Sequence, residues 1–190
     1  MGASRTSESG SSSVPFERRV ALRSTGPAGS IADVSTDPAD VIPYRASAHD
    51  AGEVARLLHD FNTEFETSSP GVSVLAGRLK SLLAGPSTIA YLIGRPAEGV
   101  ALVTLRSNVW YGGPVALLDE LYVRPHRRGH GLGTAMIDRL LADATATGIS
   151  AIEINVDESD VDAQRFYERQ GFSGRDPGTG ERAFYYALEL

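Results

Sequence analysis

Apolar positions along this chain recur with two different periods, and the period predicts the element. Between His49 and about Phe65 they fall three or four apart, at Val54, Leu57, Leu58 and Phe61, which predicts an amphipathic helix. Val74 to Leu83 predicts a second helix, and Leu132, Ala135, Met136, Leu140 and Ala144 predict a third. Strand-like runs lie at Val41 to Ala46, Thr88 to Ile93, Val100 to Leu105 and Val115 to Val123, with turns at Pro96 to Gly99 and Tyr111 to Pro114. Beyond the third helix, Ala151 to Val156 alternates as a half-buried strand does, and Val161 to Gln170 reads as a helix stopped by Gly171. Phe172 and Ser173 begin a short strand, and Asp176 to Gly180 is a loop before Ala183 to Leu190. No repeat is visible, and this order predicts an α/β sandwich: a mixed sheet with helices on both faces.

Residues 1 to 40 break the pattern. They are rich in Ser, Gly, Ala and Pro, with Phe16, Leu22 and Ile31 as scattered large apolar residues, so a disordered extension is expected there. Residues 41 to 190 are then one domain, for which 190 residues at 42% hydrophobic supply an ordinary core. Of the net charge of −6, the tail's four basic and five acidic residues account for only one unit. An acidic domain argues against sequence-independent nucleic-acid binding and is compatible with a cationic acceptor. The absence of cysteine excludes disulfides, thiolate metal sites and a cysteine nucleophile. No apolar run reaches bilayer-spanning length and the N-terminus lacks an apolar signal core, so a cytoplasmic protein without membrane attachment is expected.

Chemistry concentrates after the strand ending at Val123, in RRGHGLGTAM, Arg127 to Met136. Gly129, Gly131 and Gly133 permit backbone conformations closed to other residues, and a helix begins as they end. Its unpaired amides and positive dipole end face the loop, which makes an anion cradle for phosphate or pyrophosphate. Arg124, Arg127 and Arg128 add charge beside it. A nucleotide P-loop would need Gly-Lys-Ser/Thr, but Thr134 follows Gly133; a dinucleotide G-x-G-x-x-G would need glycine at position 134. His49, His59, His126 and His130 lack metal-ligand spacing, and the acidic run Asp157 to Asp162 lacks the glycine and glutamate of a calcium loop, so no metal is expected.

The spacing Arg128, Gly131, Gly133 is R-x-x-G-x-G, which resembles the acyl-CoA signature of the GCN5-related N-acetyltransferases (GNAT). The segment AIEINVDESDVDAQRFYERQGF, Ala151 to Phe172, resembles the same family's strand, helix and tyrosine block, and the resemblance covers roughly residues 41 to 190. It implies the GNAT fold, in which a V-shaped splay between two central strands admits the pantetheine arm of acetyl-CoA. We place that splay between the strand ending at Val123 and Ala151 to Val156.

The resemblance further implies that amides from Arg128, Gly129, His130, Gly131, Leu132, Gly133 and Thr134 hold the pyrophosphate, supplemented by the Arg128 side chain. Leu121, Tyr122 and Val123 would line the pantetheine, the backbones of Leu121 and Val123 pairing with it like an added strand. Tyr167 stands where the family places the acid that protonates the departing thiolate, and Glu120 is the candidate base or orderer of a base water. Strand alternation puts Glu120 and Tyr122 on one face and Asp119, Leu121 and Val123 on the other, although a bulge near the splay would upset that parity and leave Asp119 as the inward acid. Phe61, Glu64, Trp110 and Tyr111 are candidates for the acceptor site, with Phe61 also on the apolar helix face. Asp160 departs from the family's frequent asparagine and cannot donate as an amide does.

The activity implied is direct acetyl transfer from acetyl-CoA to a primary amine of a small molecule or a peptide terminus. The alternatives are a non-catalytic acyl-CoA-binding module and an interaction protein acting through its tail. A homodimer is left open.

Overall fold

A computed structural model of the protein describes residues 42 to 176, 178 to 182, 184 and 188. The expected extension over residues 1 to 40 lies outside the described residues, as does the closing segment 183 to 190 apart from Phe184 and Leu188. The elements are β1 Tyr44–Arg45, α1 Ala51–Glu64, α2 Val72–Ala84, β2 Thr88–Ile93, β3 Gly99–Arg106, β4 Val115–Val123, α3 Leu132–Thr147, β5 Ala151–Ile154 and α4 Val161–Arg169. The strands form one sheet in the order β1-β2-β3-β4-β5. Its first three pairings are antiparallel and β4 with β5 is parallel, the connection that requires the α3 crossover.

Both faces of this sheet are covered, as the predicted order of elements requires. On one, Tyr91, Ile93, Ala101 and Val103 meet Met136, Ile137 and Leu140 of α3 and Phe166 and Tyr167 of α4. On the other, Ala90, Leu92, Val100 and Tyr122 meet Val54, Leu57, Leu58 and Phe61 of α1 and Leu79 of α2. The first strand is shorter than its apolar run. Asp50 accepts from the backbone and hydroxyl of Ser47, and this capping box turns the chain into a 3-10 turn over Ala48–Asp50 before α1. His49 therefore belongs to the turn and not to the helix.

Two irregularities in β4 shape the site. Leu118 pairs with Val103 and Glu120 with Leu102, which leaves Asp119 as an extra residue, a β-bulge. The bulge resets the alternation, so Ala116, Leu118, Leu121 and Val123 all pack on the α3 and α4 face while Tyr122 packs under α1. Asp119 accepts a hydrogen bond from Thr104, whose neighbours Val103 and Leu105 pack toward α3 and α4. Asp119 is thus turned to the α1 face with Glu120 and Tyr122. Simple alternation, which sets Asp119 opposite Glu120, is overturned by that one extra residue.

The second irregularity is where pairing stops. Only Val115 to Leu118 of β4 pair with β5, in register with Ala151 to Ile154. From Asp119 onward β4 follows β3, while β5 ends two residues earlier than predicted because Asn155 and Val156 leave the sheet. The V-shaped splay opens there, between the two strands where the family resemblance places it.

Candidate active site

The glycine loop after β4 takes a left-handed backbone at two of its three glycines. After Arg124 the chain makes a 3-10 turn, Pro125–Arg127, and passes through Gly129 at φ 78° and Gly131 at φ 81° into α3. A side chain at either glycine would meet nothing within 4 Å, so packing does not select glycine; the left-handed backbone does. Among the described residues no side chain caps the start of α3, so its first amides keep their hydrogen-bonding capacity.

Arg128 is engaged elsewhere than its motif suggests. Its Nη1 and Nη2 donate to the two carboxylate oxygens of Glu64 at 2.7 and 2.8 Å, and its Nε donates to the Val123 carbonyl at 2.9 Å. The guanidinium carbon lies 5.7 Å from the centre of the Tyr122 ring. Burial and the neighbouring Glu64 carboxylate push the Tyr122 phenol up to about 12. Arg124 pairs with Asp60 at 2.7 Å and approaches Glu98, which also faces His126. Arg127 makes no ion pair among the described residues, and His130 contacts the Arg128 carbonyl through Nδ1. Neither Glu64 nor Asp60 carries a local sequence signal for these roles, because each pair spans 64 residues.

Beside the splay, the edge of β4 is read from one bond. Arg124 donates its amide to the Glu98 carbonyl, toward β3. Antiparallel alternation then sends the amides and carbonyls of Leu121 and Val123 the other way, into the open splay. The Val123 carbonyl is taken by Arg128, leaving the Leu121 pair and the Val123 amide.

Tyr167 projects from α4 onto the α3 side of the sheet and is 2% exposed. Its ring sits edge-on to Phe166 and Phe172, at 5.0 and 5.6 Å. Its hydroxyl is buried and has no hydrogen-bond partner among the described residues. Burial, then the negative charges of Glu120 and Asp160, hold this phenol well above its ordinary value. It is a neutral, proton-bearing group. Asp160 serves the local fold, since its Oδ1 accepts from the Ala163 amide at 3.0 Å and caps α4.

The acceptor candidates are not brought together. Phe61 is 3% exposed and packs on Phe65 and Tyr122, as core. Glu64 is bound to Arg128. Trp110 and Tyr111 are exposed, 87% and 49%, on the loop beyond the N-terminal end of β4. Phe61 and Glu64 accompany its C-terminal end, through Tyr122 and Arg128. Asn62 donates to the Ser68 carbonyl and His59 meets the Ser69 hydroxyl, so both stitch the α1 to α2 connection.

The model of the acetyltransferase (GNAT) family matches residues 54 to 172. A solved chain from Arthrobacter sp. FB24 is 48% identical, with a TM-score of 0.75, over 83% of this chain and 99% of that one. The thialysine N-epsilon-acetyltransferase of Bos taurus is 24% identical over 78% of this chain and 94% of its own length. The mycothiol acetyltransferase of Beutenbergia cavernae is 30% identical over 89 residues, 45% of this chain but only 29% of that protein.

Proposed function

Because the chain belongs to the GNAT acetyltransferase family, we propose that it acetylates a primary amine of a small cationic molecule by direct attack in a ternary complex with acetyl-CoA. The observation that carries this reading is the Tyr167 hydroxyl, buried without a partner among the described residues and held protonated. Buried polar groups are normally satisfied, and an orphan beside a splay is suited to a leaving thiolate. The uncapped start of α3 fits a pyrophosphate in the same way. Bound acetyl-CoA supplies a thioester-activated acetyl group.

The chain's own residues then divide the work. The Arg128 amide donates to the Pro125 carbonyl in the preceding turn, so the amides from Gly129 to Thr134 bind phosphate, and the free edge at Leu121 and Val123 aligns the pantetheine and polarises the thioester carbonyl. Glu120 accepts the proton that an ammonium group must lose, directly or through a water, and Asp119 on the same face reinforces the preference for a cation. Tyr167 donates its proton to the departing sulfur. The two steps are linked: once Glu120 is protonated, its charge no longer raises the Tyr167 pKa, so the base step primes the acid.

Similarity to the thialysine enzyme over most of both chains favours a flexible ω-amine over a peptide terminus. A screen of small amines, lysine analogues, polyamines and short peptides, following thiol release from acetyl-CoA, tests the reading. Turnover restricted to peptide N-termini would replace the acceptor class. CoA binding with no turnover across the panel would favour the non-catalytic module.

A further inference from the structure

Arg128 holds the first position of the glycine motif, yet its guanidinium is bound to Glu64 and to the Val123 carbonyl. Three of its donors are used, two on Glu64 and one on the Val123 carbonyl, and the side chain is 10% exposed. The contact to Val123 folds the loop back on the strand that precedes it. The contact to Glu64 ties it to the last residue of α1, a helix seated on the sheet by Val54, Leu57 and Phe61. Tyr122 completes the assembly with its ring under the guanidinium and its hydroxyl on Glu64.

We propose that Glu64 is a positioning residue for the anion cradle: through Arg128 it fixes the loop whose amides bind the phosphates, and Arg128 serves as this latch and not as a phosphate ligand. The inference rests on the acetyl-CoA reading. A loop held before the ligand arrives loses less conformational freedom on binding. Charge at the cradle falls instead to Arg127, which makes no ion pair among the described residues.

The opposite arrangement, in which Glu64 merely holds Arg128 back until a phosphate takes it, predicts the opposite sign, and CoA binding to the full chain separates the two. With titration calorimetry, the latch predicts that Glu64→Gln weakens CoA about tenfold and Glu64→Asp by less. Arg128→Lys, which cannot bridge both oxygens, should match Glu64→Gln, and the double variant should be no weaker than either single one. In steady state the KM for acetyl-CoA rises while kcat at saturation stays within about twofold. Unchanged or tighter CoA binding in Glu64→Gln, additive losses, or a fall in kcat at constant KM would each overturn the latch. Failure of the unaltered protein to bind CoA would overturn the donor assignment beneath it.

Discussion

Replacing Tyr167 by Phe tests the proposed chemistry because the structure sets two observables moving apart. The hydroxyl has no partner among the described residues, so among them its removal breaks no hydrogen bond and strands no other group. A buried, unsatisfied polar group costs about 1–3 kcal/mol, so the variant should fold at least as stably as the parent. The ring keeps its edge-on contacts with Phe166 and Phe172. A positioned general acid contributes about 10²–10⁴-fold, so kcat should fall at least about 10²-fold, equivalent to about 2.7 kcal/mol of barrier. CoA affinity should stay within about twofold, since the proposed role of the phenol is on the leaving group and not on the phosphates. The assay is thiol release at saturating acetyl-CoA, beside CoA titration and thermal unfolding. A kcat within about twofold of the parent would return Tyr167 to a purely structural role. A fall in Tm of more than about 5 °C would refute the claim that the hydroxyl has no partner.

Three further outcomes follow from the same geometry. Glu120→Gln should lower kcat/KM for the amine by about 10²-fold at neutral pH, with recovery at alkaline pH where free amine needs no acceptor; a uniform loss at every pH would remove Glu120 as the base. Gly131→Val should abolish CoA binding in calorimetry, because β-branched residues resist φ 81°; retained binding would dismiss the cradle geometry. Tyr122 loses its proton near 10 in the unfolded chain but at about 12 when folded. The resulting stability is complete below pH about 10 and is lost as pH rises toward about 12, so Tyr122→Phe should flatten the alkaline decline in urea unfolding midpoints.

The elements of this fold were largely legible because most carry an apolar stripe turned to the core. The helix over Leu132 to Thr147 declares itself by its period and the strand Val115–Val123 by its apolar run after a turn. The turn at Gly129 and Gly131 was legible too, since positive φ leaves a glycine trace in sequence, whereas Gly133 lies inside α3. The parity of Asp119 was not: a bulge depends on how β3 pairs with β4, and no local period records it. The ion pairs of Arg124 and Arg128 escaped for a related reason. Their partners, Asp60 and Glu64, lie one turn apart on α1, and only the packing of that helix on the sheet brings them to the loop. The acceptor residues are the weakest part, because aromatic and acidic residue types were grouped without knowing which end of β4 each would accompany.

The open edge of β4 past Leu118 has a thermodynamic corollary. Backbone groups that most sheets pair internally are left for a ligand, so ligand and fold stability are linked: an occupant bound only by the folded form raises the unfolding free energy by RT ln(1 + [L]/Kd). At a hundredfold excess over Kd that is about 2.7 kcal/mol. The amides of Leu121 and Val123 should exchange with deuterium quickly in the free protein and slowly when the cleft is filled, while those of Glu120 and Tyr122, directed at β3, stay protected in both. A single strand would then report occupancy by alternate residues.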